Sequence, residues 1–154
     1  MHAFSGADGR VPFSGLTIGE DTLFGSTYRG GDRDFGVLFA IARDGSNYRV
    51  LHHFQGEDGR QPYHKLWVDG DRIYGITKFG GEADRGVLFA SGTDGSQFRV
   101  LHHFAAGNAN GFNPHAGPIL LGDRLYGTLY HGGSFRGTGG VYAFSLDTGE
   151  FEFL

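Results

Sequence analysis

The chain contains no cysteine, one tryptophan and one methionine, and its only lysines are Lys65 and Lys78. Without cysteine there is no disulfide, no thiolate nucleophile and no cysteine-ligated zinc, and nothing in the chain reports a redox compartment. Thirteen basic residues against seventeen acidic ones give a formal charge of −4, and the arginines are scattered. Lacking a basic cluster, the chain cannot neutralise a run of phosphates, so no nucleic-acid partner is expected. No stretch approaches the roughly 18 apolar residues of a membrane-spanning helix. No window joins a helical hydrophobic period to capping residues, and no helix is expected.

What the chain has in quantity is glycine and aromatic residues: 29 Gly, 15 Phe and 7 Tyr in 154 residues. The glycines have no period of three, which excludes collagen, and apolar residues recur too regularly for a disordered chain. Glycine and aromatics together suit many short strands joined by tight turns.

An internal repeat organises the chain. Residues 1–50 align without gaps on residues 51–100, with about half the positions identical. Landmarks recur in three copies: His2-Ala3-Phe4, His52-His53-Phe54 and His102-His103-Phe104; Asp8-Gly9, Asp58-Gly59 and Asn110-Gly111; Pro12, Pro62 and Pro114; Gly30-Gly31, Gly80-Gly81 and Gly132-Gly133. Each copy reads as four strands, exemplified by Tyr63 to Val68, Arg72 to Phe79, Gly86 to Ser91 and Gln97 to Phe104. The Asp-Gly and Asn-Gly pairs supply the positive φ of tight turns. Four antiparallel strands per repeat of roughly 40–50 residues is the pattern of β-propeller blades. The fold class is therefore all-β, a β-propeller with three four-stranded blades per chain. A β-prism or trefoil, also threefold, is the alternative. Residues 1–154 form one repeat domain, with blades at about 5–54, 55–104 and 105–154 and an N-terminal strand at 1–4.

The last residues, Phe151 to Leu154, align with Tyr48 to Leu51, and Met1 to Phe4 align with Leu51 to Phe54. The two ends thus read as halves of one outer strand. Three blades are too few to close a ring, so the chain is expected to partner itself head-to-tail through Met1–Phe4 and Phe151–Leu154. A six-bladed homodimer is favoured over a larger ring or a filament. Because Met1 to Phe4 already belong to the repeat, no signal peptide is expected in this chain.

Leu-Tyr-Gly-Thr at 125–128, Gly132-Gly133, Gly139-Gly140-Val141-Tyr142 and Leu-His-His-Phe followed by Asp-Gly-Arg-x-Pro resemble the GloVer (Gloeo/Verruco) repeat, found in tandem in bacterial proteins with a variety of cell-surface anchors. The resemblance spans the whole chain. It implies an exported or cell-surface propeller repeat and brings no catalytic residues with it.

Chemistry is harder to find. Polar residues gather in the loops of one propeller face, including Asp8, Arg10, Asp32, Arg33, Asp34, Asp58, Arg60, Glu82, Asp84, Arg85 and Arg136. Asp8 and Asp58 precede glycine and read as turn residues; Asp32-Arg33-Asp34 lacks the spacing of a calcium loop. Adjacent histidines on a strand point to opposite faces, so His52-His53 and His102-His103 read as packing or hydrogen-bonding residues rather than metal ligands. The first-strand segments Pro-Phe-Ser-Gly-Leu, Pro-Tyr-His-Lys-Leu and Pro-His-Ala-Gly-Pro hold no acid, so an enzyme is not expected, nor a metal or cofactor. A multivalent carbohydrate-binding module is the alternative to a structural or interaction scaffold, and a channel-centred hydrolase stands third. Sugar rings stack on aromatics, and Phe13, Tyr28, Tyr63, Trp67, Phe79, Phe112 and Tyr130 are available. Tyr63, His64, Trp67 and His115 differ between copies; with Arg10 and Arg60 they are the expected ligand-binding residues, for a glycan or a protein ligand.

Overall fold

The computed structural model describes residues 2–106, 111–132 and 138–154. Met1, the Asn110 turn position, Gly133 and Arg136 lie outside the described residues.

The described residues form three antiparallel sheets and no helix. Blade one runs β1 (Thr17–Ile18), β2 (Thr22–Thr27), β3 (Val37–Ala42) and β4 (Arg49–His53). Blade two runs β5 (Arg60–Pro62), β6 (Trp67–Asp69), β7 (Arg72–Phe79), β8 (Val87–Gly92) and β9 (Arg99–His103). Blade three runs β10 (Phe112–Pro114), β11 (Ile119–Leu121), β12 (Arg124–His131), β13 (Gly140–Ser145) and β14 (Phe151–Phe153). Each sheet is ordered from inner to outer strand by sequence, as hairpin-connected blades require. This is a three-bladed segment of a β-propeller.

The second strand of blade two matches its expected bounds, Arg72–Phe79, and the outer strand is shorter by the irregular residues at its ends. The first strand needs correction: Tyr63 to Val68 is not continuous. β5 and β6 both pair β7, at Pro62↔Thr77 and Trp67↔Tyr74, and residues 63–66 leave the ladder between them. Proline cannot donate to the ladder, and Pro62 and Pro114 each end the first half of an inner strand. The outer strands carry a register shift after Leu38 and Leu88, which inserts Leu51 and Leu101 as extra residues.

Alternation along the strands fills two inter-blade cores. Phe24, Leu38, Ala40 and Phe54 pack against Leu66, Ile73, Val87 and Phe89 between blades one and two. Tyr74, Ile76, Leu88 and Phe104 pack against Leu125, Leu129, Tyr142 and Phe144 between blades two and three. Phe54 and Phe104, from the segments leaving one blade, are completely buried against the next. At ~1.5–3 kcal/mol for each large apolar side chain buried, these seams are the main cohesion between blades.

The recurrent histidine belongs to this seam. His52 stacks on Phe98 of the following blade with centroids 3.6 Å apart and planes 5° from parallel, and His102 stacks on Phe151 at 4.1 Å and 4°. His2 makes the same stack on Tyr48, at 3.6 Å and 5°. Phe4 meets Phe39 edge-on at 5.4 Å, as Phe54 meets Phe89. Residues 2–4 thus occupy, on blade one, the place that the preceding outer strand's end occupies on blades two and three.

Candidate functional site

Inner strands converge where a propeller has its channel. Thr17 Oγ1 donates to Leu66 O at 2.6 Å, tying β1 to the segment before β6. A side chain at Gly117 would strike Lys65 O, which marks how close blade three comes to blade two. The equivalent residues Thr17, Trp67 and Ile119 line one cleft of about 370 Å³ with Lys65, Leu66 and Pro118.

At the other end of the inner strands, the interrupted segment 63–66 projects side chains between blades. Tyr63 and His64 lie ring against ring at 3.8 Å, and His115 stands 5.5 Å from His64 and 6.4 Å from Tyr63, edge-on to the latter. Tyr130 lies 5.6 Å from His115 and Tyr28 lies 6.4 Å from Tyr63. Phe13 continues the row at 5.8 Å from Tyr28. Each blade contributes position 13/63/115 from the inner segment and 28/78/130 from the second strand, giving a row of rings across all three blades. In blade two the second place holds Lys78, with its ammonium 5.5 Å from the centre of the Tyr63 ring and 5.2 Å from that of Phe79.

Between blades two and three this row opens into a cleft of about 280 Å³, lined by Tyr63, Lys78, Asn113, His115, Tyr130 and His131. Among the described residues no carboxylate lines it. Tyr130 is 61% exposed. Asn113 Oδ1 and, beside the cleft, His64 Nε2 are buried without a hydrogen-bond partner among the described residues. Burial, then the neighbouring His115 and Lys78, push the His64 pKa down to about 4, so this imidazole is neutral near pH 7. Burial, then Tyr28, raises the Tyr63 pKa, and its phenol stays protonated. Rings with exposed faces, an ammonium and an unpartnered amide oxygen can hold a small polar ring by stacking and hydrogen bonds.

The six expected ligand residues divide. Tyr63, His64 and His115 come together here. Trp67, 36% exposed, sits in the inner-strand cleft beside Ile119. Arg10 and Arg60 are elsewhere and already engaged. Arg10 donates from Nε and Nη2 to Asp34 at 2.8 and 2.7 Å, and Arg60 to Asp84 at 3.0 and 2.7 Å. Each aspartate also accepts the N–H of Gly30 or Gly80 at 2.8 Å. These forks lock the loop between second and third strands onto the incoming crossing. The Arg10 hydrogen bond holds Asp34 far below the ordinary carboxylate range, and Arg60 lowers Asp84. Asp58 accepts from Gln55 N at 2.7 Å and lies 2.7 Å from His52 Nε2, and Asp8 accepts from Ser5 N at 2.7 Å; both close turns. Lys78, Asn113 and His131 went unnoticed in the sequence. The available signal was substitution at a repeat position: Lys78 stands where the other copies have tyrosine.

A three-bladed run with inner strands at a cleft-bearing edge defines a β-propeller segment. The chain belongs to the Gloeobacter/Verrucomicrobia repeat family, whose model matches residues 1–154. Similar solved structures include a nidogen/laminin complex (TM-score 0.55, 15% identity, 86% of this chain and 43% of that chain) and TolB from Acinetobacter baumannii (TM-score 0.55, 14% identity, 87% of this chain and 29% of that chain). The tricorn protease is also similar (TM-score 0.52, 16% identity, 90% of this chain and 12% of that chain). These neighbours are β-propeller proteins, and at this identity the likeness concerns the fold alone. The chain spans less than half the length of each. The comparison with curated proteins gives no match. Among the described residues no helix is long and apolar enough to cross a membrane.

Proposed function

We propose that the chain is a non-catalytic propeller module that assembles head-to-tail with copies of itself and serves as a structural or interaction scaffold. The observation that carries this reading is the contrast between inner and end faces of equivalent blades. Leu66, facing blade one, is 3% exposed, whereas its counterpart Leu16 on blade one is 47% exposed. Leu38 and Leu88 are fully buried by the next blade, whereas their counterpart Val141 is 44% exposed. The two uncovered faces are the two halves of the seam that the chain already forms twice internally.

The same seam supplies the template on which we base the joining of a second copy. In blades one and two, β3 and β8 pair outward at Leu38↔His52 and Val37↔His53, and at Leu88↔His102 and Val87↔His103. Phe54 and Phe104 N–H groups then donate to Gly36 O and Gly86 O at 3.2 and 3.0 Å. In blade three the pairing of β13 with β14 covers Tyr142 to Phe144, and Leu154 N donates to Val141 O at 2.9 Å. His2, Ala3 and Phe4 of a second copy would take Val141, Gly140 and Gly139 O in the same register. Two chains closing this way make six blades; if the rotation fails to close, the same contact makes a filament.

Light scattering on the 154-residue chain tests this. Twice the 16.7 kDa chain mass is expected for the closed pair; a monomer at concentrations of tens of micromolar overturns the reading. The non-catalytic part is supported by the inner segments 12–16, 62–66 and 114–118, which hold no carboxylate. A second reading, a carbohydrate-binding module, is favoured by the ring-lined cleft between blades two and three. A glycan array tests it, and silence at high protein concentration would sink it.

A further inference from the structure

We infer that the cleft between blades two and three is a site for an acidic saccharide, a sugar ring carrying a carboxylate. This rests on the carbohydrate reading of the same cleft and names the class of sugar. Four observations carry it.

The first is charge. The chain as a whole is acidic, at −4, yet among the described residues the lining is one ammonium, two imidazoles, two phenols and an amide, with no carboxylate. The second is the state of Lys78. Its ammonium makes no ion pair among the described residues and is held over the Tyr63 and Phe79 rings. Elsewhere arginines are spent on carboxylates, as in the Arg10–Asp34 and Arg60–Asp84 forks. A cation held in place without a counter-ion is positioned for an anion from outside. The third is an unsatisfied polar atom of the lining, Asn113 Oδ1, buried without a partner among the described residues. Such atoms cost free energy unless a ligand satisfies them, and a sugar hydroxyl is a donor of the right kind for the amide oxygen. The fourth is shape. About 280 Å³ is at the small end of ligand pockets, suited to a single sugar unit rather than a large cofactor. Tyr130 offers an exposed ring for the apolar face of that unit.

Asn113 is also anchored. Its N–H donates to Arg85 O at 3.3 Å and its φ of 54° is left-handed, so the amide is presented from a backbone held by blade two. Blade one has Val11 at this place, blade two Gln61 and blade three Asn113, and the lysine occurs only in blade two. The acidic-sugar specificity therefore belongs to the junction between blades two and three.

Calorimetric titration with a short oligogalacturonate, its fully methyl-esterified form and the corresponding neutral oligogalactose tests the assignment. The ester removes the charge and adds one methyl group per unit. Binding of the acid on the order of tenfold tighter than the ester or the neutral sugar is expected. Lys78→Met should abolish that preference, and Tyr130→Ala should weaken the acid and the ester alike. Both variants are checked for an unchanged circular dichroism spectrum and assembly mass. Equal affinity for acid, ester and neutral sugar overturns the acidic specificity and leaves the carbohydrate reading standing. No binding of any of the three overturns both. Tight acid binding that neither variant alters overturns this site.

Discussion

At the scale of the residue, Val11, Gln61 and Asn113 hold left-handed backbone at equivalent places, with φ of 58°, 58° and 54°. Asparagine tolerates this region, whereas a β-branched side chain is strained in it by roughly 1–2 kcal/mol. The conformation persists at Val11 because its carbonyl accepts from both Phe13 N and Tyr28 N, at 2.9 and 3.0 Å. Val11→Asn is expected to stabilise the protein by about 1 kcal/mol, read as a raised midpoint of thermal unfolding. His102 and His64 give a pH signature. Burial, then His103, pushes His102 down to about 4, and burial pushes His64 to about the same value, against 6.5 for an ordinary histidine. Below pH 6.5 the unfolded chain therefore takes up protons that the folded chain does not. Their contribution is fully present above 6.5 and is lost as the pH falls toward 4. The unfolding midpoint should decline across that window, and His102→Phe, which keeps the ring stack on Phe151, should flatten part of the decline. The histidine repeat is visible in the sequence as a packing or hydrogen-bonding feature, but its stacking partner lies in the next blade, 46 residues on for His52 and Phe98, and no local pattern encodes that.

At the scale of the element, the interrupted inner strand is what makes the cleft. Tyr63 to Val68 is expected as one continuous first strand, yet Pro62 cannot donate to β7 and the chain re-enters the ladder only at Trp67. The four residues between are released; Tyr63 lines the cleft and His64 packs against its ring. The loop facing this crossing is shaped by Gly80, whose φ is 85° and where a Cβ would lie 2.5 Å from Gly56 O. Gly80→Ala should cost more than the ~1 kcal/mol typical of glycine propensity alone, because it meets backbone that cannot swing aside. The exchanged segments supply a matched pair of tests. Phe54 is fully buried between blades one and two, so Phe54→Ala is expected to cost about 3–5 kcal/mol of stability in denaturant unfolding. Phe4, which meets Phe39 and Tyr48 on blade one but is only half-buried, should cost less within a single chain.

At the scale of the whole molecule, two inter-blade seams are closed and two half-seams are left uncovered, at Leu16 on blade one and Val141 on blade three. If copies cover these faces, folding and association are linked, and the thermal midpoint should rise with protein concentration. Leu16→Arg and Val141→Arg place a charge on faces already exposed within one chain. Each is expected to keep the β-sheet spectrum while removing that concentration dependence and halving the solution mass. A concentration-independent midpoint in the parent chain would instead assign both faces to something other than a second copy.

The threefold repeat, its turns and most of its strands were determined by the sequence alone, because positive-φ glycines and strand alternation act over a few residues and recur in register. The glycine pairs, the Asp-Gly turns and β7 could be read directly for that reason. Only the tertiary structure decided that Arg10 and Arg60 serve Asp34 and Asp84, each pair 24 residues apart. It also decided that Tyr63, His115 and Lys78 share one cleft, with His64 packed beside them, while Trp67 stands apart. Those placements depend on how one blade is laid against the next, which is set by long-range burial of side chains rather than by any preference of the local chain.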